Sequence, residues 1–331
     1  TTGANNTALG YGAYSGATTA SNNTSVGYKS MHVSTTGTEN TALGTNTLLA
    51  NTTGSYNTAI GHDCLKDNTT GQRNTAIGRT TMQNTTTGGY NTAVGMDALQ
   101  SLTTASYNVA FGYNTMGGAV VTGDNNTALG YEALKLNTTG ASNTAVGIYS
   151  LDANTTGASN TAVGRNSLGA NTTADNNTGI GYDAGAAVTT GVNNTLIGYQ
   201  AGDAITTGYS NVFVGKGLAA DAVDAIGQLL VGKDLTAPGD NTFSLGQDSQ
   251  GRVYNSYGSN ASWTRDSDER LKTNIQNATL GLDFINDLRT VTFKWKPNND
   301  LPNTFKAYSE TNVKDTSTVM HGMIAQEVKA A

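Results

Sequence analysis

Proline is the first thing this chain lacks. Only three occur in 331 residues, and none precedes Pro238. A stacked parallel ladder uses the backbone N–H of nearly every residue, and proline has none to give, so its absence fits a repetitive β interior. The single cysteine, Cys64, excludes an intrachain disulfide framework. Small residues such as Ala98, Ala133 and Ser150 replace it in other copies of its segment, so a small buried side chain is expected rather than a reactive thiol. The three histidines, His32, His62 and His321, are too scattered for metal-ligand spacing, and no acidic calcium loop repeats. We therefore expect no metal and no cofactor. No apolar run approaches the roughly 20 residues of a membrane helix, so no membrane insertion is expected. The first residues do not have the layout of a signal peptide. Thr1 already lies inside a repeat, as in an N-terminally trimmed chain.

Charge is also scarce, at 13% of residues, and unevenly placed. Residues 1–250 carry 8 Lys+Arg against 15 Asp+Glu, and residues 251–331 carry 10 against 9. Without a basic stripe to track phosphates, nucleic acid is not an expected partner. Carboxylates such as Asp63, Asp97, Glu132 and Asp183 occupy varying positions and read as solvated surface groups rather than a glycosidase pair.

What the sequence has is a period. A glycine following an aliphatic or aromatic residue recurs from Gly10 to Gly232 in fourteen copies, and twelve of the thirteen intervals are 17 residues. The exception is 18, with its extra residue between Met116 and Gly123, where a loop tolerates it. Low-complexity disorder does not hold such a register. In the unit that begins at Asn126, the first position is Asn126, the fourth Leu129, the fifth Gly130 and the ninth Leu134, followed by Thr138-Thr139-Gly140. This reads as a strand, a bend at glycine, a second short strand and a turn. The glycine is expected to take a positive φ or to admit another backbone, and the Thr hydroxyls to make local turn bonds. Asn-Thr-Thr triplets such as Asn51 to Thr53 match a glycosylation pattern, but their turn role accounts for them.

Stacking puts residues 17 apart about 4.8 Å from one another along the axis, so fourteen coils make a rod about 65 Å long. Each coil offers two large apolar side chains, worth about 1.5–3 kcal/mol each when buried. Ordering it costs roughly 1.5 kcal/mol per residue. A lone chain is thus poorly supported, and three chains around an axis would bury the aliphatic stripe that one leaves bare. The expected fold is mainly β, a homotrimeric parallel β-roll or β-solenoid of 17-residue coils. The repeated Asn-Thr-Ala-(Leu/Ile/Val)-Gly, as at Asn40 to Gly44 and Asn91 to Gly95, resembles the head repeats of trimeric autotransporter adhesins and related phage tail-fibre repeats. That resemblance implies a trimeric β-roll, although the period here is longer than the adhesin unit.

After Gly215 the unit degrades. Lys216 to Ile226 reads as a short helical insertion, and Leu229 to Gly232 and Phe243 to Gly246 as atypical end coils. We place a shaft at 1–246, a polar neck at 247–262 and a C-terminal domain at 263–331. The last holds both tryptophans, an amphipathic helical pattern over Leu280 to Leu288, and strand patterns over Val291 to Lys296 and Met320 to Ile324.

Ser267-Asp268-Glu269-Arg270-Leu271-Lys272, with Phe293-Lys294-Trp295 and the run His321-Gly322-Met323-Ile324-Ala325-Gln326-Glu327-Val328, resembles the endosialidase-type intramolecular chaperone domain of phage tailspikes and tail fibres. The resemblance implies a small α+β domain that trimerises and folds the fibre ahead of it. It also implies self-cleavage by a Ser-Lys dyad, here Ser267 and Lys272, with Asp268, Arg270, His321, Gly322, Gln326 and Glu327 as motif positions. A lysine of lowered pKa is a sensible base for a serine nucleophile. Family members continue past the Ala-Gln-Glu-Val motif, so a domain ending at Ala331 is expected to be incomplete. Together these readings point to a virion tail fibre. It would bind a host cell-surface glycan or protein, join other tail or baseplate proteins, and have no enzymatic turnover beyond autoproteolysis. The alternatives are a bacterial surface adhesin and a polysaccharide-degrading tailspike.

Overall fold

A computed structural model describes residues 2–257, 264–265, 290–293 and 320–323. The chain divides into two compact units, Thr1–Asp266 and Ser267–Ala331. The first is a β-solenoid of about fourteen turns. Its strands run from β1 (Thr7–Leu9) through β8 (Thr127–Leu129) and β9 (Thr144–Val146) to β12 (Thr195–Ile197), three residues in each coil. Consecutive strands pair in parallel, position on position, as in Thr127↔Thr144 and Leu129↔Val146. Among the described residues there is no α-helix.

Asparagine holds the stack. The backbone N–H of Asn143 donates to Asn126 Oδ1 at 3.0 Å, and its Nδ2 donates to the same oxygen at 3.2 Å. Nδ2 also donates to the Gly157 carbonyl at 2.8 Å, which ties the beginning of a coil to its end. The amide is fully buried and its donors and acceptor all find partners, which is what a polar group in a dry interior requires. At the 18-residue interval the ladder survives, with Asn126 N–H donating to Asn108 Oδ1 at 2.9 Å. A second ladder runs through the twelfth position, where Asn154 Nδ2 donates to Asn137 Oδ1 at 2.9 Å and to Gly157 O at 3.0 Å. These buried Asn-Thr-Thr asparagines, Asn51 and Asn137 among them, are inaccessible to a glycosyl donor.

The glycine does both things expected of it. Gly130 has φ 137°, and a Cβ there would stand 2.5 Å from the Gly147 carbonyl oxygen of the next coil. The Thr hydroxyls differ from expectation: they bond across coils rather than locally. Thr138 N–H and Oγ1 both donate to Thr155 O at 2.9 Å, and Thr139 N–H donates there at 3.2 Å.

The second strand is absent, and turns replace it. Its residues alternate into the left-handed region, with Glu132 at φ 54° and Leu134 at φ 52°. Such a conformation costs a non-glycine residue about 1–3 kcal/mol. The stack holds it in place, since Glu132 N–H donates back to Tyr113 O at 3.0 Å and Leu134 N–H forward to Ser150 O at 3.0 Å. This geometry turns the ninth-position Leu or Met inward, where Met31, Leu48, Leu99 and Leu134 are fully buried against the strand alanines such as Ala128. Cys64 is buried among them, and burial pushes its thiol pKa up to about 12.

Lys216 to Ile226 forms no helix. Its backbone is taken by neighbouring coils, with Gly202 N–H donating to Leu218 O and Ala219 N–H to Leu235 O, each at 2.8 Å. Strands β13 (Val212–Lys216) and β14 (Leu229–Lys233) and then β15 (Thr242–Gln247) continue the parallel ladder. Within the stretch read as a neck, β16 (Gly251–Ser256) turns back antiparallel on β15, and β17 (Thr264–Arg265) follows it. This hairpin covers the last parallel edge, which would otherwise template further pairing.

The twelfth-position ladder stops at Asn68, since Thr85 and then Leu102 follow it, and both Asn68 Oδ1 and Thr85 Oγ1 are buried without a hydrogen-bond partner. Thr85→Asn should give Asn68 its donor and raise thermal unfolding stability by about 1 kcal/mol. A calorimetric scan that shows no gain would mean that this ladder does not contribute as described.

Candidate functional site

Two surfaces bear on function: the outer face of the solenoid sheet and the C-terminal unit. On a strand, the second, fourth and sixth positions point away from the core. The fourth is the aliphatic position, and its side chains remain partly or largely exposed: Leu9 is 68% exposed, Leu129 47% and Val214 38%. Of the two large apolar groups per coil, one chain therefore buries only the ninth. The sixth position beyond the glycine carries exposed aromatic and basic side chains, with Tyr11 over Tyr28 at 5.6 Å and Tyr113 over Tyr131 at 5.3 Å between ring centroids.

The carboxylates considered for glycoside cleavage do not vary in position: Asp63, Asp97, Glu132 and Asp183 all occupy the seventh. They have partners within the stack. Asn46 Nδ2 donates to Asp63 Oδ1 at 2.9 Å, Asn166 Nδ2 to Asp183 Oδ1 at 2.8 Å, Thr80 Oγ1 to Asp97, and Lys135 Nζ lies 3.2 Å from Glu132. The 17-residue spacing brings them into line, and they share a left-handed backbone. Among the described residues no three His, Cys, Asp or Glu side chains gather as a metal site.

In the C-terminal unit, β18 (Thr290–Phe293) pairs antiparallel with β19 (Met320–Met323). The register sets His321 opposite Thr292 and Gly322 opposite Val291, so the two strand patterns, separated by some 26 intervening residues, meet in one ladder. Ser267, Asp268, Arg270, Lys272, Gln326 and Glu327 lie outside the described residues, as does the helical pattern at Leu280 to Leu288.

Residues 267–331 match the family model described as Chaperone of endosialidase. The C-terminal unit is a chaperone-of-endosialidase domain. Its first matched residue, Ser267, is also where the second compact unit begins. Comparison with curated proteins and with solved structures returned no match. The chaperone assignment thus covers the last fifth of the chain, and the shaft rests on its own repeat and coordinates. In this arrangement a fibre-like solenoid precedes a chaperone domain.

Asp152 is one of two shaft carboxylates, with Asp203, that burial disfavours. Burial raises the pKa of Asp152 above the usual carboxylate value, and Glu132 raises it further, against its own backbone hydrogen bonds and Lys135. An acid whose pKa is higher folded than unfolded holds more protons in the folded state between those two values. Its contribution therefore declines as pH rises from the unfolded pKa through the folded one. Asp152→Asn should flatten that decline and raise the neutral-pH melting temperature slightly; a variant with the wild-type pH dependence would show that Asp152 carries no such cost.

Proposed function

We propose that this chain is a trimeric phage tail fibre whose shaft is folded and trimerised by its C-terminal chaperone domain and which attaches to a host cell-surface glycan or protein. The observation that supports this most is the fourth-position stripe. It repeats along the whole shaft on a face that one chain leaves bare, and contiguous apolar surface of that extent marks an interaction site. A second and third copy of the same chain suit it because the stripe has the same 17-residue period in every copy. Three copies around an axis would therefore place like aliphatic rows together over the full length. A chaperone domain following such a shaft fits a fibre whose chains must register with one another before the fourth-position stripe is covered. Virion localisation, partners in the tail or baseplate, and self-cleavage through Ser267 and Lys272 belong to the same reading.

Sedimentation of the Ser267→Ala chain, which this reading leaves uncut, should give three times its 34.0 kDa mass. Leu129→Asp with Val146→Asp should reduce it to monomer while the coil hydrogen bonds persist by circular dichroism. A monomeric Ser267→Ala chain, or a double variant that stays trimeric, would contradict the trimer. For cleavage, intact mass spectrometry of freshly made protein should show a product ending near Ser267 that disappears in Ser267→Ala and in Lys272→Ala. Trimming that continues in both variants would remove the dyad. Wild-type protein should also adhere to host cells, and host binding fails as a function if no susceptible cell retains it.

A further inference from the structure

Half of the shaft's cations share one position. Of the 8 Lys+Arg in residues 1–250, Arg79, Arg165, Lys216 and Lys233 all occupy the sixth position, where six tyrosines also stand and no acid does. From the tenth coil onward the row is unbroken: Arg165, Tyr182, Tyr199, Lys216 and Lys233, all exposed, over about 19 Å at the coil spacing. Its members are ordered by one another. Arg165 Nη1 donates to Tyr182 Oη at 2.8 Å with its guanidinium 5.3 Å from that ring. Tyr182 stacks on Tyr199 at 5.3 Å, and Lys216 Nζ lies 5.9 Å from the Tyr199 ring. The nearest acids are the seventh-position Asp183, which is engaged by Asn166, and Asp234, 3.6 Å from Lys233.

We propose that this row is the glycan-binding surface of the fibre and that its ligand is an anionic, carboxylate-bearing polysaccharide lying along the shaft axis. The proposal rests on the trimeric, host-binding reading above. In a trimer closed on the fourth-position stripe, the sixth-position row cannot lie at the axis. Symmetry would set Lys216 against its own copies, and burying like charges together is costly. The row therefore flanks the stripe as an open, axial track. Its charge density decides between polymers. Three cations in about 19 Å fall far short of duplex DNA, with one negative charge per roughly 1.7 Å, whereas a polysaccharide with a carboxylate every sugar or two is matched. The tyrosine edges and hydroxyls between the cations supply amphipathic contact for sugar rings.

The full chain and its Arg165→Gln/Lys216→Gln/Lys233→Gln variant would be titrated with alginate, a polymer of carboxylated sugars, with neutral dextran and with duplex DNA. Alginate should bind wild type, bind the triple variant at least about tenfold more weakly, and bind less tightly as salt rises. Tyr182→Ala/Tyr199→Ala should also weaken it but keep the salt dependence. Because all five side chains are exposed, both variants should keep the wild-type circular dichroism spectrum at the titration temperature, which makes the comparison clean. Equal binding of alginate by wild type and the triple variant, equal binding of dextran and alginate, or tighter binding of DNA than alginate would each overturn the proposal. Wild type that adheres to host cells but ignores alginate overturns the row and leaves host binding standing. Alginate binding through the row without adhesion to host cells supports the row and removes host binding.

Discussion

A buried side-chain amide must have its donors and acceptor satisfied, and in this shaft the partner is the same amide one coil away. Asn126 Oδ1 receives both the N–H and the Nδ2 of Asn143, and the Nδ2 then closes its own coil on Gly157. That reciprocity fixes the period. A coil one residue longer or shorter keeps the ladder only if the change is absorbed elsewhere, as the 18-residue interval does in the loop beyond Met116 while Asn126 still reaches Asn108 Oδ1. The other constraints follow. Coils this close need glycine at Gly130, where a Cβ would strike Gly147, and they hold Leu134 in a left-handed conformation that brings its side chain into the core.

Much of this was legible. The 17-residue register, the parallel stacking, the role of the glycine and the burial of Cys64 all follow from residue type at fixed spacing. The second strand did not follow, because Glu132-Ala133-Leu134 has an apolar spacing that a strand or an alternating left-handed turn presents equally well. For the same reason the fourth and ninth positions looked alike as apolar sites, although only Leu134 is buried and Leu129 is not. Lys216 to Ile226 has helical composition, but its carbonyls and N–H groups are used by flanking coils before any helix can form. Propensity yields there to cross-coil pairing. The Thr hydroxyls follow the same rule, since a local turn bond and a bond to a coil 17 residues away have the same sequence signature.

The candidate site divides between the two units. The motif beginning at Ser267 was legible from ordered residues at compatible spacing, and the chaperone match covers the same stretch. The β18–β19 ladder accounts for part of that order, because Met320 to Met323 must pair with Thr290 to Phe293 across a long connection. On the shaft, the carboxylates at the seventh position and the cations at the sixth are aligned by the 17-residue spacing itself. Which positions face out is what the spacing does not give, and that depends on the left-handed turn.

A homopolymeric stack makes every outward position a line of like residues, so each row has to be compatible with itself. The seventh position is polar enough to hydrogen-bond along the stack, and the fourth is apolar enough to close on copies of itself. The sixth position satisfies neither condition over its whole length: aromatic pairs alternate with cations, and Lys216 and Lys233 stand next to each other without an acid in their own row. Their coils are about 4.8 Å apart, but the charges have different neighbours: Lys216 Nζ lies 5.9 Å from the Tyr199 ring centroid and Lys233 Nζ 3.6 Å from Asp234. Each cation therefore takes its partner from a neighbouring position or coil, and the row as a whole presents positive charge outward with no acid of its own.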